Sequence, residues 1–230
     1  MVAPLIEFRN LSKSYLEADH GHVVFENVNG VINEGEFVVL LGKSGSGKST
    51  LLNLISGIDA PSSGEIFVNN ESLTHMSENK RTLFRRRNIG FVFQGFNLIP
   101  TLTVIDNLLL PLELTKQLDD ETRLRANKLL EQLGVIDRLD YYPDQLSSGE
   151  QQRIAIARAL IHQPAIILAD EPTGNLDQET GQEVLALLDQ LVRQEGKTMV
   201  MVTHSQEVIG LADRLMTIRD CQLHETDRQS

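Results

Sequence analysis

The chain holds a single cysteine, Cys221, which excludes an internal disulfide and suits a reducing compartment. No stretch reaches the ~18 apolar residues of a membrane-spanning helix, and Met1-Val2-Ala3-Pro4 opens neither a basic segment nor an apolar leader. A soluble cytoplasmic protein is therefore expected, one that serves a membrane only through a partner. Positive charge is scarce: 21 Lys and Arg face 32 Asp and Glu, and the net charge of −11 repels nucleic acid in bulk. No nucleic-acid partner is expected. Internal repeats and low-complexity stretches are missing too. What remains is 230 residues, enough for one large domain, or a domain with a subdomain, that buries roughly 70% or more of its unfolded surface.

One stretch organises the rest. Gly42-Lys43-Ser44-Gly45-Ser46-Gly47-Lys48-Ser49-Thr50 fits the phosphate-binding pattern G-x-x-x-x-G-K-[ST]. At average composition its four specified positions match by chance in roughly one chain in a hundred of this length. The flanks narrow this further, because the apolar run Phe37 to Leu41 precedes the loop and Leu51, Leu52, Leu54, Ile55 and Ile58 follow at helical spacing. A strand enters, a glycine-rich loop turns, and a helix leaves. Glycines let backbone N–H groups crowd around phosphate oxygens, and the new helix aims the positive end of its dipole at the same anion. Lys48 then reaches the β- and γ-phosphates, and the Ser49 hydroxyl suits Mg²⁺.

Around this loop the chain reads as alternating strands and helices. Leu5 to Leu11, then Val23-Val24-Phe25 with Val28, predict an antiparallel β start. Between them Tyr15 is either a packing residue or an aromatic face beside a bound base. Pro61-Ser62-Ser63-Gly64 is a turn into the short strand Glu65 to Val68, and the polar segment from Glu71 to Phe84 is expected to be helical in part. Arg85-Arg86-Arg87 reads as a solvated face. The strand Ile89 to Phe93 ends in Gln94, a neutral amide able to hold both a metal and a water. The loop Gly95-Phe96-Asn97-Leu98-Ile99-Pro100 carries apolar side chains that are either tucked under the domain or offered to a partner.

From Thr103 to about Leu133 the pattern is helical, with a proline at 111, and ends at Gly134. It reads as a helical insertion. Leu146-Ser147-Ser148-Gly149-Glu150 opens a further helix, where the serines either cap the first turn or help to make an anion site. Ala165 to Ala169 is a continuous apolar run, the pattern of a strand buried on both faces, and it ends in Asp170-Glu171. In a phosphate-loop domain such a pair can hold Mg²⁺ and polarise an attacking water; elsewhere it caps a turn. Thr173 to Asp177 turns into a helix over 178–194. Thr198 to Val202 is the last buried strand, and His204 follows at the edge where parallel sheets bind ligands. Leu215 to Ile218 and Gln222-Leu223 close as a hairpin around Asp220-Cys221, and the polar stretch after Glu225 is expected to fray.

Taken together, these motifs resemble the nucleotide-binding subunit of ABC transporters from end to end, in the family's own order. Gly42 to Ser49 resembles its Walker A loop, Gln94 its Q-loop, Leu146 to Glu150 its signature, and Ile166 to Asp170 its Walker B strand with Glu171 beside it. Asn175-Leu176-Asp177 resembles the D-loop and His204 the switch histidine, while Tyr15 sits where the family's adenine-stacking aromatic belongs. Phe93 to Thr103 and Ala169 to Asp177 are worded like the lipoprotein-release and macrolide-export branch (LolD/MacB-like); the cell-division ATPase FtsE is a near relative. Two positions depart from the family: Ser148 stands where glycine is usual, and Asp220-Cys221 stands where Asp-Gly is usual.

The resemblance implies an α/β P-loop NTPase with a mainly parallel core sheet, an N-terminal antiparallel β subdomain and a helical subdomain. The core would take about 1–94 and 162–230, the helical part about 95–161. Two chains would close head to tail on two Mg-ATP molecules as a homodimer. Lys43 to Thr50 with Gly42 and Tyr15 would hold the nucleotide of one site, and Ser147, Ser148, Gly149, Glu150 and Asp177 would complete the partner's site. Ser49, Gln94 and Asp170 would serve Mg²⁺, Glu171 the attacking water, and His204 the γ-phosphate. The implied partner is an integral permease of the LolCE/MacB kind, docking near Phe96 to Ile99 and moving lipoprotein, lipid or a hydrophobic compound. The alternative is a division-type ATPase that signals its ATP state to a membrane protein without transport.

Overall fold

The computed structural model describes residues 4–17 and 20–226. In chain order the strands are β1 (Pro4–Glu17), β2 (His20–Asn33), β3 (Phe37–Leu41), β4 (Ser63–Val68), β5 (Glu71–Ser72), β6 (Ile89–Phe93), β7 (Ile166–Asp170), β8 (Thr198–Thr203), β9 (Arg214–Arg219) and β10 (Gln222–Thr226). The helices are α1 (Lys48–Ile55), α2 (Glu78–Asn88), α3 (Val104–Thr115), α4 (Asp120–Gln132), α5 (Ser148–Leu160) and α6 (Gln178–Gln194). Two compact units emerge, Met1–Arg85 with Thr198–Ser230, and Arg86–Lys197. This grouping hands β6, β7 and α6 to the same unit as the helical insertion, whereas the motif reading divides the chain by nucleotide core and insertion.

The first unit contains the expected antiparallel start. β1 pairs with β2 on one side and β4 on the other, with bulges between Phe8 and Leu11 and between Leu11 and Lys13. It also contains the parallel strands: β3 lies between β8 and β9, in register Val39↔Met201 and Val39↔Leu215. β10 returns antiparallel to β9. Phe37 to Leu40 and all six residues of β8 are buried, as expected of strands covered on both faces. In the second unit β6 pairs parallel to β7, Phe93 opposite Asp170, and α5 packs on β6.

Three local expectations change. The stretch 103–133 forms two helices, and the break is not at Pro111, which lies inside α3. It falls where Lys116 turns left-handed (φ 57°) and Asp119 starts a new helix by accepting a bond from the Thr122 N–H at 2.8 Å. Thr122 Oγ1 accepts from the Asp119 N–H in return, a capping box that no apolar period reveals. Of the three arginines, Arg86 and Arg87 are exposed, but Arg85 donates to the Gly57 carbonyl at 2.8 Å and to Thr82 Oγ1. Finally, β10 carries paired structure through Thr226; the rest of the tail expected to fray lies outside the described residues.

The closing hairpin turns on Asp220 (φ 49°) and Cys221 (φ 58°), the left-handed pair that a type I′ turn requires. Cysteine bears a Cβ that crowds this conformation, and its Sγ offers only a weak bond to the Val23 carbonyl at 3.4 Å. Cys221→Gly is therefore expected to stabilise the chain by about 1 kcal/mol, raising the thermal midpoint by roughly 2–4 °C. Calorimetry of the two proteins checks this; a lower midpoint in the glycine variant would contradict the strain.

Candidate functional site

The phosphate loop leaves β3 where that strand is paired. Leu41 lies opposite Thr203 of β8, so Gly42 and His204 each follow the last pair and start from the same edge of the parallel strands. His204 is exposed and Thr203 is buried, its hydroxyl accepting from the Ser205 N–H at 3.0 Å. The loop carries positive φ at Gly45 (79°) and Gly47 (95°), and Gly47 is the N-cap of α1 without a side-chain cap. No acidic residue lies in the first turn of α1. The first turn of the helix thus adds no negative charge of its own against the positive end of the dipole.

Two observations test whether these residues suit a phosphate. Lys48 is buried and folds back onto its own loop, its Nζ donating to the carbonyls of Gly42 (2.7 Å) and Lys43 (3.0 Å). The loop therefore holds a buried positive charge, which suits an anion. Ser46 Oγ is buried and meets no protein partner, so a polar group facing the loop interior is available to a ligand oxygen. Of the loop glycines Gly42, Gly45 and Gly47, the last has the least room: a Cβ there would come within 2.3 Å of Val24 Cγ1.

Tyr15 is anchored rather than free to rotate. Its hydroxyl donates to Asp59 Oδ2 at 2.7 Å, and the buried Lys13 sets Nζ 4.6 Å from the ring centroid while donating to Asp59 Oδ1 at 2.7 Å. Burial works against the Asp59 carboxylate, but the bonds from Lys13 and Tyr15 outweigh it and hold its pKa below the ordinary value. The Tyr15 hydroxyl is pushed the other way, first by burial and then by Asp59. Lys13 and Asp59 are 46 residues apart, and no sequence pattern links them.

In the second unit the β6–β7 register brings Gln94 and Glu171 to one strand end, because Phe93 and Asp170 are opposite each other. Gln94 Nε2 donates to Asn175 Oδ1 at 3.1 Å, and Asn175 Nδ2 donates back to the Gln94 carbonyl at 2.9 Å. Asn175 opens the segment that resembles the D-loop, where only Asp177 is given a role; its reciprocal amide pair with Gln94 is visible only in three dimensions. Glu171 has φ 46°, a left-handed conformation that costs of order 1–3 kcal/mol and tends to mark functional turns. Asp177 caps α6, accepting from the Thr180 N–H at 3.0 Å, and this bond, with that of the Thr180 side chain, lowers its pKa.

At the start of α5, capping is realised: Ser147 Oγ accepts from the Glu150 N–H, and Glu150 Oε2 accepts from the Ser147 N–H (2.9 Å) and hydroxyl (2.8 Å). Arg138 holds the other carboxylate oxygen at 2.9 Å. The Ser147 N–H first, then Arg138 and the Ser147 hydroxyl, keep the Glu150 carboxyl low against the opposing effect of burial. Ser148, where the resembled family has glycine, is exposed. Gly149 is the buried one, and a Cβ there would meet Thr180 Cγ2 at 2.6 Å.

The apolar loop is part tucked, part offered. Phe96 and Leu98 are half-buried and Ile99 is exposed. Arg158 pins the loop, donating to the carbonyls of Asn97 (2.5 Å) and Phe96 (2.7 Å), and burial lowers the pKa of its guanidinium. Beside the loop lies a groove of about 370 Å³ lined mainly by apolar groups, among them Phe91, Phe93, Ile99, Leu110 and Leu114. The Phe91 and Phe93 rings stack 5.0 Å apart along it.

Residues 25–174 match the family model described as ABC transporter. An uncharacterized ABC transporter ATP-binding protein of Mycobacterium tuberculosis is 50% identical over 220 residues, 96% of this chain and 89% of that protein. The macrolide export ATP-binding/permease protein MacB of Rhodopirellula baltica is 44% identical over 229 residues, 98% of this chain and 33% of that protein. Among solved structures, the dimeric post-hydrolysis state of the ATP-binding cassette MJ0796 bound to ADP and Pi matches with a TM-score of 0.88. Its identity is 40%, and the match covers 98% of this chain and 99% of that chain.

The geometry at Gly47 yields a direct test of the loop. Gly47→Ala combines a left-handed φ with a 2.3 Å approach to Val24 Cγ1, and is expected to cost about 2 kcal/mol or more. Equilibrium denaturation measures it. Pairing the change with Val24→Ala should recover part of the loss, and no recovery would mean that backbone strain alone is responsible.

Proposed function

Because the chain belongs to the ABC transporter family, we propose that it is the ATP-hydrolysing subunit that drives a separate membrane permease in the export or extraction of lipoprotein, lipid or a hydrophobic compound. Among the described residues no helix is long and apolar enough to cross a membrane, and the membrane step is assigned to the partner. The 44% identity to a macrolide export protein favours the export branch over other transporters. Two copies close on two nucleotides in this reading, in keeping with the dimeric ADP- and Pi-bound cassette that this chain resembles.

Each residue has a role that its chemistry allows. Gly42 to Thr50 receive the nucleotide phosphates, with the Lys48 ammonium exchanging loop carbonyls for phosphate oxygens. Tyr15, held by Asp59 and Lys13, presents a ring for the adenine. Mg²⁺ would be held by the Ser49 hydroxyl, the Gln94 amide and the Asp170 carboxylate. No group of three or more His, Cys, Asp or Glu suited to a metal occurs among the described residues. One carboxylate with neutral oxygens suits Mg²⁺, which keeps several waters and binds phosphate oxygens directly. When bound, the ion neutralises charge on the phosphates. Glu171 accepts a proton from the attacking water, and His204 contacts the γ-phosphate. Ser147, Ser148, Gly149 and Glu150, with Asp177, face the nucleotide held by the second copy.

The reading rests above all on the pair Asp170-Glu171 ending a buried parallel strand, with Glu171 in a conformation its side chain disfavours. Glu171→Gln keeps the shape and removes the base. It is expected to bind Mg-ATP as the unaltered chain does and to lower turnover by roughly 10²–10⁴. Phosphate release near the unaltered rate would refute the assignment.

The groove beside Phe96 to Ile99 receives a cytoplasmic helix of the permease, its apolar face against Phe91 and Phe93. Tagged protein purified from gently solubilised membranes under Mg-ATP should bring that permease with it. Phe96→Asp or Leu98→Asp should then abolish permease-stimulated ATPase, and stimulation that survives both would reject this docking site.

A further inference from the structure

On the reading just given, this chain serves two different nucleotides: the start of α5 faces the one held by the second copy, while Glu171 acts on its own. A buried amide joins these two parts. We infer that Gln152 is a positioning residue that carries engagement of the α5 N-terminus to the backbone holding Glu171. The inference depends on the proposed roles of the signature segment and of Glu171.

Gln152 is fully buried, and its Nε2 donates to the Pro172 carbonyl at 2.6 Å. Its Oε1 meets no protein donor, so within the protein the side chain directs its hydrogen bonding to that one carbonyl. Pro172 directly follows Glu171. Proline fixes its own φ, which leaves ψ as the torsion that aims its carbonyl, so holding the carbonyl holds the exit of the Glu171 turn. The same turn is braced at further points. The Gly174 N–H donates to the Glu171 carbonyl at 3.0 Å, and Asn175 exchanges two amide bonds with Gln94. Glu171 thus keeps its left-handed φ at the head of a turn restrained at several points, and one restraint comes from α5.

The other end of this link is stiff. Gln152 lies five residues beyond Ser147, about 7.5 Å along a helix. The Ser147–Glu150 capping box closes the first turn, and Gly149 packs so tightly on Thr180 that a Cβ would not fit. A shift of the α5 N-terminus toward a phosphate therefore moves Gln152 as part of a rigid rod, and with it the Pro172 carbonyl. Methionine or leucine would fill much of the same buried volume without a donor, so their substitution separates packing from the bond.

The test is steady-state and binding measurement on Gln152→Met and Gln152→Leu, with Glu171→Gln as reference. Both variants are expected to keep the denaturation midpoint and Mg-ATP affinity of the unaltered chain. Their kcat should fall at least tenfold with KM changed less than twofold, and any sigmoid dependence of rate on ATP should flatten. In the unaltered chain, hydrogen exchange across 172–176 should slow when Mg-ATP brings two copies together, a readout that needs no variant. Unaltered kcat in both variants would overturn the inference, as would loss of kcat in step with ATP affinity or folding. Exchange at 172–176 indifferent to pairing would overturn it equally. Normal turnover by Glu171→Gln would instead reject the functional reading beneath it, so the two failures are told apart.

Discussion

Parallel pairing in fixed register is the constraint from which the site follows. Within each unit parallel strands carry their carboxyl ends to one edge, and the pairs Leu41↔Thr203 in the first and Phe93↔Asp170 in the second decide which residues follow the strand ends there. Gly42 with His204, and Gln94 with Glu171, each follow directly from such a pair. The registers are hard to move, because β3, β7 and β8 are buried along nearly their whole length and a slip of one residue would mismatch the close packing on both of their faces. Each fully buried Val, Leu or Phe is worth roughly 1.5–3 kcal/mol, so the strands act as fixed supports, and on the proposed reading the loops at their ends carry the chemistry.

Left-handed backbone shows how differently the same strain can be used. Cys221 and Glu171 both adopt positive φ with a Cβ in the way. At Cys221 the surrounding hairpin asks only for a tight reversal, which glycine would meet more easily. At Glu171 the turn is restrained through Pro172, Gly174 and Asn175, and the side chain itself is the functional group on the proposed reading. The first strain is a local cost, the second a means of aiming a carboxylate.

Much of this was legible in the residues. The glycine loop, the continuous apolar runs of β3, β7 and β8, and the bounds of α6 all announce themselves through spacing and composition, since burial on both faces leaves an unbroken apolar run. What escaped notice depends on pairs distant in sequence or on single capping residues. Nothing in Lys13 and Asp59 says that they will meet beneath Tyr15, and nothing in the helical pattern from 103 to 133 marks Lys116 as its break. By its residue type Gln152 is one more polar residue in the first turns of a helix; only the fold buries it against Pro172.

On the proposed reading, the capping box at α5 also explains why one chain alone would make a poor site there. Glu150 already places a carboxylate on the Ser147 N–H and hydroxyl, and Arg138 balances its charge. An arriving phosphate must compete with that carboxylate for the same helix terminus, whereas the phosphate loop offers a helix end with no acidic residue in its first turn and a buried ammonium. On the proposed reading, nucleotide therefore binds first to the loop of one chain and recruits the signature of the other second. This order follows from where the protein has placed its own negative charge.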